Sequence, residues 1–372
     1  MINPGTTPGS GLTRKRPGLP LLASLPSREL SALLTRSGGS PSQAASAAAK
    51  VLRHTFRVRP EGLDSPWDQA LLRDLGVGAW AHPALLALDA RCSLTIAERA
   101  PALDGSERLL LATLDGNYVE TVLIPAPNRT TVCVSSQVGC ARACSFCETG
   151  VNGLTRQLDA GEIVDQLRIA RLVWGNRLPA IQNVVFMGMG EPFDNLTEVA
   201  KATQLLTDDN AFALSRSRVT VSTVGVADKI GPFFESCKAE LAVSLNAATD
   251  EKRGRIMPIN QRFPLQALFT ELEQHLPRGR RVLFEYVLIG GFNDSPEDAR
   301  ELAKLAARVR SRVNVIPMNP GPDPALSTPS KSSLDEFVAI LVELGVTTLI
   351  RRPRGRDVGG ACGQLAALRR SR

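Results

Sequence analysis

Three cysteines fall within eight residues, Cys140-Ala-Arg-Ala-Cys144-Ser-Phe-Cys147. Thiolates are soft ligands that suit zinc and iron–sulfur clusters. A structural zinc site wants four tetrahedral ligands, usually as two paired knuckles, and no second CxxC or HxxxH occurs in the chain. The three histidines, His54, His82 and His275, are scattered over stretches that read as helix or turn. An iron–sulfur cubane commonly takes four thiolates, so three leave one iron open to a small molecule. An open position is the mark of a catalytic metal site rather than a structural one. The bland alternative is three buried cysteines in one loop.

Glu120 stands out next. In Tyr118-Val-Glu-Thr-Val-Leu-Ile-Pro125 it shares a face with Tyr118, Val122 and Ile124, so an acid interrupts an apolar stripe. Partial burial would raise its pKa and suit proton transfer. An edge-strand acid in solvent is the competing reading. Gly188-Met-Gly190-Glu191-Pro192 fails as a dinucleotide fingerprint, because Phe193 occupies the third glycine position and Pro192 interrupts the turn. Ser222, Ser244-Leu245-Asn246 and Asn319 are further polar groups at the ends of expected strands. Carboxyl ends of strands are where α/β sheets bind ligands. Arg351-Arg-Pro-Arg-Gly-Arg356 is either a phosphate-binding cluster or a solvated terminus. Cys92 and Cys237 read as small buried apolar residues.

The elements that must position these groups follow from pattern. Residues 1–20 are rich in Gly, Pro, Ser and Thr around Arg14-Lys15-Arg16 and read as a disordered arm. Residues 21–90 read as a small helical region. Leu30, Leu33 and Leu34 share a face, a second helix runs over 43–54, and Ser65-Pro66-Trp67-Asp68 reads as the start of a third that Gly76 stops. Period-two strands follow over 92–99, 108–114, 118–125 and 131–137, separated by turn residues. After residue 150, strands at 183–189, 219–224, 241–246, 282–289 and 313–318 alternate with helices at 161–174, 196–207, 226–235, 264–276, 295–310 and 332–345. That rhythm implies right-handed βαβ units and a parallel sheet. With the strand before the cysteine loop there are six βα steps, fewer than the eight of a closed barrel. The expectation is an α/β fold with a partial, six-stranded βα barrel and a helical accessory domain.

Composition narrows the class. The 372 residues are 43% hydrophobic and 22% charged, an ordinary globular balance. No apolar run approaches membrane-spanning length and the N-terminus is no signal peptide, so a cytoplasmic, membrane-free protein is expected. Seven cysteines, an odd number, with four between 133 and 147, argue against a secreted disulfide scaffold. The net charge of +7 sits at the ends, since residues 351–372 hold seven Arg against one Asp.

CxxxCxxC after the first strand of a βα domain resembles the radical S-adenosylmethionine (SAM) superfamily. Cys133-Val-Ser-Ser-Gln-Val-Gly-Cys140, Met187-Gly-Met-Gly-Glu-Pro192 and Ala361-Cys362-Gly-Gln-Leu365 narrow the resemblance to the RlmN/Cfr RNA methyltransferases, over about Tyr118 to Leu365. The resemblance implies a [4Fe-4S] cluster on Cys140, Cys144 and Cys147, with SAM chelating the open iron. It implies SAM contacts from Gly190, Glu191, Ser222, Ser244, Leu245, Asn246 and Asn319. One SAM would methylate Cys362. A second, cleaved reductively to a 5′-deoxyadenosyl radical, would take hydrogen from that methyl group, whose carbon then adds to adenine. Cys133 would attack the sulfur of Cys362 to release product, leaving a transient disulfide, and Glu120 would accept the proton. Without the resemblance Cys362 is an ordinary tail thiol.

The implied activity is methylation of adenosine at C2 in 23S rRNA, with tRNA as a further substrate, by a monomer served by a flavodoxin- or ferredoxin-type electron donor. Alternatives are C8 methylation or another RNA, and a non-enzymatic iron–sulfur or zinc RNA-binding protein. The chain departs from the family pattern at Glu148, where Ser or Ala is common, and at Asn246, where His is common. It departs again in the helical region, which lacks the usual Trp/Tyr pattern. The expected divisions are the arm (1–20), the accessory domain (21–90), the radical SAM core with its strand extension (91–352) and a basic segment carrying Cys362 (353–372).

Overall fold

The structure, a computed structural model, describes residues 20–57 and 67–366. The expected disordered arm, except Pro20, lies outside those residues, as do Ser65 and Pro66. Two helices, Ser27–Arg36 and Pro41–Arg57, open the described fold and bury Leu30, Leu34, Val51 and Leu52. The next helix is Gln69–Asp74, and its cap is Asp68, whose carboxylate accepts from Leu71 N–H at 2.8 Å. Asp68, expected as an early acid of this helix, is its cap.

Four strands follow: β1 (Leu94–Pro101), β2 (Glu107–Thr113), β3 (Tyr118–Ala126) and β4 (Arg129–Cys133), an antiparallel meander. The chain then leaves the sheet. Ser135 donates its Oγ–H to Glu120 O at 2.6 Å and its N–H to Gln166 Oε1 at 2.7 Å, bonds that replace ladder pairing. It resumes as β5 (Gln137–Gly139), which pairs with β6 (Leu154–Gln157) in a separate ribbon. The single strand expected over 131–137 is therefore two, and the cysteine loop hangs from the ribbon between them.

The parallel strands are β7 (Ile181–Phe186), β8 (Val219–Thr223), β9 (Glu240–Ser244), β10 (Val282–Leu288), β11 (Ser311–Pro317) and β12 (Thr348–Ile350). They extend the meander in the order β1-β2-β3-β4-β7-β8-β9-β10-β11-β12. Ladders from β4 through β12 are all parallel, which makes seven parallel strands where six were expected. The seventh, β12, is three residues long, too short for periodicity to reveal. No ladder joins β1 to β12 among the described residues, so the sheet stays open, as a partial barrel should.

Helices return the chain between parallel strands. The first, Ala160–Trp174, starts in a capping box of Asp159 and Glu162. Ser24 Oγ donates to Asp159 Oδ1 at 3.2 Å and accepts from Gly161 N–H at 3.0 Å, which ties the N-terminal region to this helix. One buried apolar cluster runs from Leu30 and Val51 to Val184 and Phe186. The helical region thus shares its core with the sheet rather than enclosing a separate one. A helix at Asp250–Ile256 (DEKRGRI) was not expected, because it carries almost no apolar periodicity. No helix among the described residues is long and apolar enough to cross a membrane.

Candidate active site

The carboxyl ends of the parallel strands and the cysteine loop enclose a cavity of about 150 Å³. Its lining includes Cys140, Cys144, Cys147, Gly190, Glu191, Ser222, Ser244, Asn246, Asn319 and Cys362. Sequence separation between these groups exceeds 200 residues; the open barrel brings them together.

Local structure fixes the loop. Ala143 adopts φ of 51°, a left-handed turn rare outside glycine. Ser145 N–H donates to Ile256 O at 3.0 Å, so the unexpected helix buttresses the cysteines from below. Arg142 grips Asp194 through two bonds, which links the loop to the segment after Glu191. Among the described residues, no three His, Cys, Asp or Glu side chains are placed to hold one metal ion. The three thiols instead share the lining of a cavity, as a polynuclear group would need. Burial pushes the Cys140 thiol up to about 12 and raises Cys144 and Cys147 as well, with Cys147 adding to the rise at Cys140 and Cys144. Thiols of this kind would release their protons to solvent on ligating a cationic cluster.

The small-molecule side is equally built. Gly190 has φ of 101°, and a Cβ there would lie 2.6 Å from Gln137 Cβ. Gln137 Oε1 accepts from Glu191 N–H at 2.7 Å. The Glu191 carboxylate is buried, accepts from Phe193 N–H and Val224 N–H, and is pushed up to about 7, chiefly by burial. Asn246 takes a φ of 58° and accepts from Val287 N–H at 3.0 Å. Asn319 donates to Cys362 O at 3.1 Å, while its buried Oδ1 has no protein partner. An orphaned acceptor and a glycine cradle fit a polar cofactor such as SAM. Leu245 alone of the expected contacts does not line this cavity; its side chain is in the core and its N–H donates to Glu285 O.

Arg253 was missed. It is fully buried and donates to the carbonyls of Val224, Ser244 and Leu245 and to Asn260, gathering the ends of β8 and β9. Burial lowers its guanidinium to about 10. No sequence pattern distinguishes it from the exposed arginines nearby.

A second, larger cavity of about 430 Å³ lies against the first along the concave face of the sheet. It is lined by Cys133, Asn183, Thr220, Asn314, Arg129 and Arg351 among others, and Cys362, Met187, Ile316 and Asn319 line both cavities. Cys362 therefore sits where the two meet. Cys133 lies wholly on the second side, its thiol pushed up to about 12 by burial first and by Cys362 next, with Arg351 opposing. All seven cysteines are free thiols in this structure, so the Cys133–Cys362 disulfide is not formed here.

The segment after β12 carries Cys362 across the open side of the barrel. Arg351 N–H continues the β11 pairing at Val315 O. Gly363 O accepts from Glu148 N–H at 2.8 Å, Leu365 O from Thr149 Oγ1 at 2.6 Å, and Ala366 O from Asn152 Nδ2 at 3.1 Å. Glu148 takes part through its backbone, so the departure from Ser or Ala leaves this bond intact. The basic cluster divides. Arg351 turns inward, Arg354 pairs with Asp104 and bonds Pro125 O, and Arg352 and Arg356 stay exposed.

Glu120 is buried, which removes the solvent-exposed reading. Arg108 pairs with one carboxylate oxygen, and the other accepts from Ala366 N–H at 2.8 Å, four residues past Cys362. It is thus tied to the Cys362 segment, although it lines neither cavity. None of the three histidines lines a cavity either. His54 packs edge-on to Trp67, His82 bonds Val77 O, and His275 faces Glu271 on its own helix. Cys92 and Cys237 are buried in the core.

The chain is similar to known proteins over most of its length. A family model described as the Radical SAM superfamily matches residues 134–306. A Sorangium cellulosum protein named "Probable RNA methyltransferase sce1580" is 60% identical, over 99% of this chain and 94% of its own. The "Dual-specificity RNA methyltransferase RlmN" of Geotalea uraniireducens is 46% identical over 70% of this chain and 75% of its own. That of Rhodospirillum rubrum is 41% identical over 92% and 79%. A crystal structure of a radical SAM methyltransferase from Sphaerobacter thermophilus superposes with a TM-score of 0.81 at 36% identity, covering 94% of this chain and all of that one.

Proposed function

We propose, since the chain belongs to the RlmN family of radical SAM RNA methyltransferases, that it methylates C2 of an adenosine in 23S rRNA, with tRNA as a further substrate, by way of S-methyl-Cys362. The observation that carries this reading is the place of Cys362 at the junction of two cavities. One holds the three thiols and the strand-end polar groups. The other holds Cys133 and opens toward exposed arginines. A methyl carrier needs access to both.

Cys140, Cys144 and Cys147 would hold a [4Fe-4S] cluster, and Gly190, Glu191, Ser222, Ser244, Asn246 and Asn319 would hold SAM, with Leu245 supporting from behind. When bound, the cluster and SAM supply one-electron chemistry and hydrogen-atom abstraction, which lets an unactivated ring carbon be alkylated. The chain's own residues do the rest. Asn319 fixes the Cys362 backbone between the cavities. Glu120, paired with Arg108, is the proton acceptor, and its second oxygen exchanges the Ala366 N–H for substrate. The Cys133 thiolate attacks the Cys362 sulfur; an S–S bond forms and the S–C bond breaks. The electron pair stays on the released carbon, which takes up a proton to become methyl. The resulting disulfide needs reduction before the next turnover, and a flavodoxin- or ferredoxin-type protein supplies the single electrons. Arg352, Arg356 and Arg129 are exposed cations placed to meet RNA phosphates.

Nucleoside mass spectrometry of rRNA and tRNA from a strain lacking the gene tests the reading. Loss of 2-methyladenosine supports it; loss of 8-methyladenosine instead moves the methyl to C8, and an unchanged nucleoside profile defeats it. Cys133→Ala is expected to trap a covalent protein–RNA adduct, visible as a shifted band on a denaturing gel.

A further inference from the structure

Sequence reading grouped Arg351 with the phosphate-binding arginines, but its side chain lies inside the barrel. Its Nη1 is 3.2 Å from Glu285 Oε1 and 3.1 Å from Met187 Sδ. Glu285 is buried on β10, and its other oxygen accepts from Ser222 Oγ at 3.2 Å. One carboxylate is therefore shared between a hydroxyl and a guanidinium, and the thioether contributes no charge. Arg351 also lines the larger cavity together with Cys133 and Cys362. Its guanidinium is thus paired with one carboxylate and lines the same cavity as the two thiols that must exchange.

We propose that Arg351, anchored by Glu285, is the positioning cation of this thiol pair, stabilising the Cys133 thiolate for attack on the Cys362 sulfur. The functional consequence rests on the relay described above; the electrostatic claim does not. A nearby cation favours the thiolate, the reactive form, over the thiol. Arginine keeps its charge at any working pH, which lysine in an enclosed site does not. The proton leaves Cys133 for solvent through the cavity.

The charged surroundings of Cys133 are few. Arg351 and Cys362 face it from the C-terminal segment and Glu285 from β10, while Met187, just past β7, supplies a backbone N–H. On β3, Val122 pairs with it and Glu120 is occupied by Arg108. Arg354 is engaged by Asp104, and Arg129 and Arg352 are exposed to screening. Arg351 is the cation whose removal should matter.

The test measures Cys133 alkylation by iodoacetamide against pH in the reconstituted enzyme, mapped by peptide mass so that each cysteine reads separately. Arg351→Gln should shift the Cys133 profile to higher pH and slow its reaction at neutral pH about tenfold or more, one pH unit being a factor of ten in thiolate. Glu285→Gln removes the opposing charge and should shift the profile to lower pH. Arg351→Lys should restore part of the wild-type profile. In turnover, Arg351→Gln should accumulate the RNA adduct, whose decay quickens as pH rises. A general disturbance of packing would move both variants the same way, so same-direction shifts overturn the proposal, as does an unchanged Arg351→Gln profile. Should Cys362→Ala prove active, the relay fails, yet the alkylation profiles still judge the electrostatic claim alone.

Discussion

The two cavities that meet at Cys362 are assembled by opposite means. In the smaller one the three clustered thiols come from a single eight-residue loop, and the polar groups lie at the ends of successive strands. In the larger one the chemistry comes from β4 and from a C-terminal segment more than 200 residues later, meeting across the open side of the sheet. A site built from a motif survives as a pattern. A site built by closure exists only when the last segment docks.

The sharpest break between them is chemical. Cys144→Ala should empty the first cavity of iron and abolish all SAM cleavage. Cys362→Ala should leave iron content and SAM cleavage in place while abolishing RNA methylation, a loss on the order of 10³-fold or more. Iron assay, 5′-deoxyadenosine release and RNA methylation, measured side by side, separate the two. A Cys362→Ala enzyme that still methylates would mean that the cavities do not share a carrier.

A structural difference should follow. Arg253→Met leaves three carbonyls at the ends of β8 and β9, and the Asn260 Oδ1, without this donor and should cost about 3–5 kcal/mol, as removing one partner of a buried charged network does. Thermal unfolding of the apo protein reads it, and the loss should be larger than for any single arginine of the C-terminal segment. Gly190→Ala forces a Cβ to within 2.6 Å of Gln137 at a left-handed φ. About 1–3 kcal/mol is expected, with weaker SAM binding in equilibrium dialysis and an unaltered Cys133 alkylation profile.

The smallest effect is a slope. Burial holds the Glu191 carboxyl at about 7, above its unfolded value, so the folded state favours the protonated form. Stability from that proton is present below the unfolded value and is lost as pH rises through about 7. Glu191→Gln should therefore flatten the decline in the melting temperature of the apo protein between pH 5 and 8. An identical slope in both proteins would show that another group governs it.

Much of the smaller site was legible in the order of residues. The cysteine spacing, the Met-Gly-Met-Gly-Glu-Pro strand end and the polar ends of β8, β9 and β11 all stand in the cavity lining. Past the end of β9 at Ser244 the chain turns through a left-handed φ at Asn246, so Ser244 and Asn246 line the cavity while the Leu245 side chain lies in the core. Gln137, Arg142 and Arg253 were not read as site residues, because each acts by bonding backbone or partners far along the chain. The count of parallel strands fell one short because three residues of β12 carry no periodicity. The separate accessory domain dissolved into a shared core, since pattern shows which face is apolar but not what it packs against.

Glu120 and Arg351 mark the same boundary from opposite sides. An acid in an apolar stripe announced that Glu120 was unusual, and the structure supplied its partners, Arg108 and Ala366. Arg351 looked like any arginine in a basic run, and only docking against Glu285 singled it out. By itself the sequence determined the cysteine loop, the βα rhythm and the family, because local spacing and period are properties of neighbours along the chain. Which arginine faces the thiols, which segment closes the barrel and where Cys362 stands were decided by tertiary structure. Burial and charge pairing depend on what the fold brings near, and no stretch of residues carries that information alone.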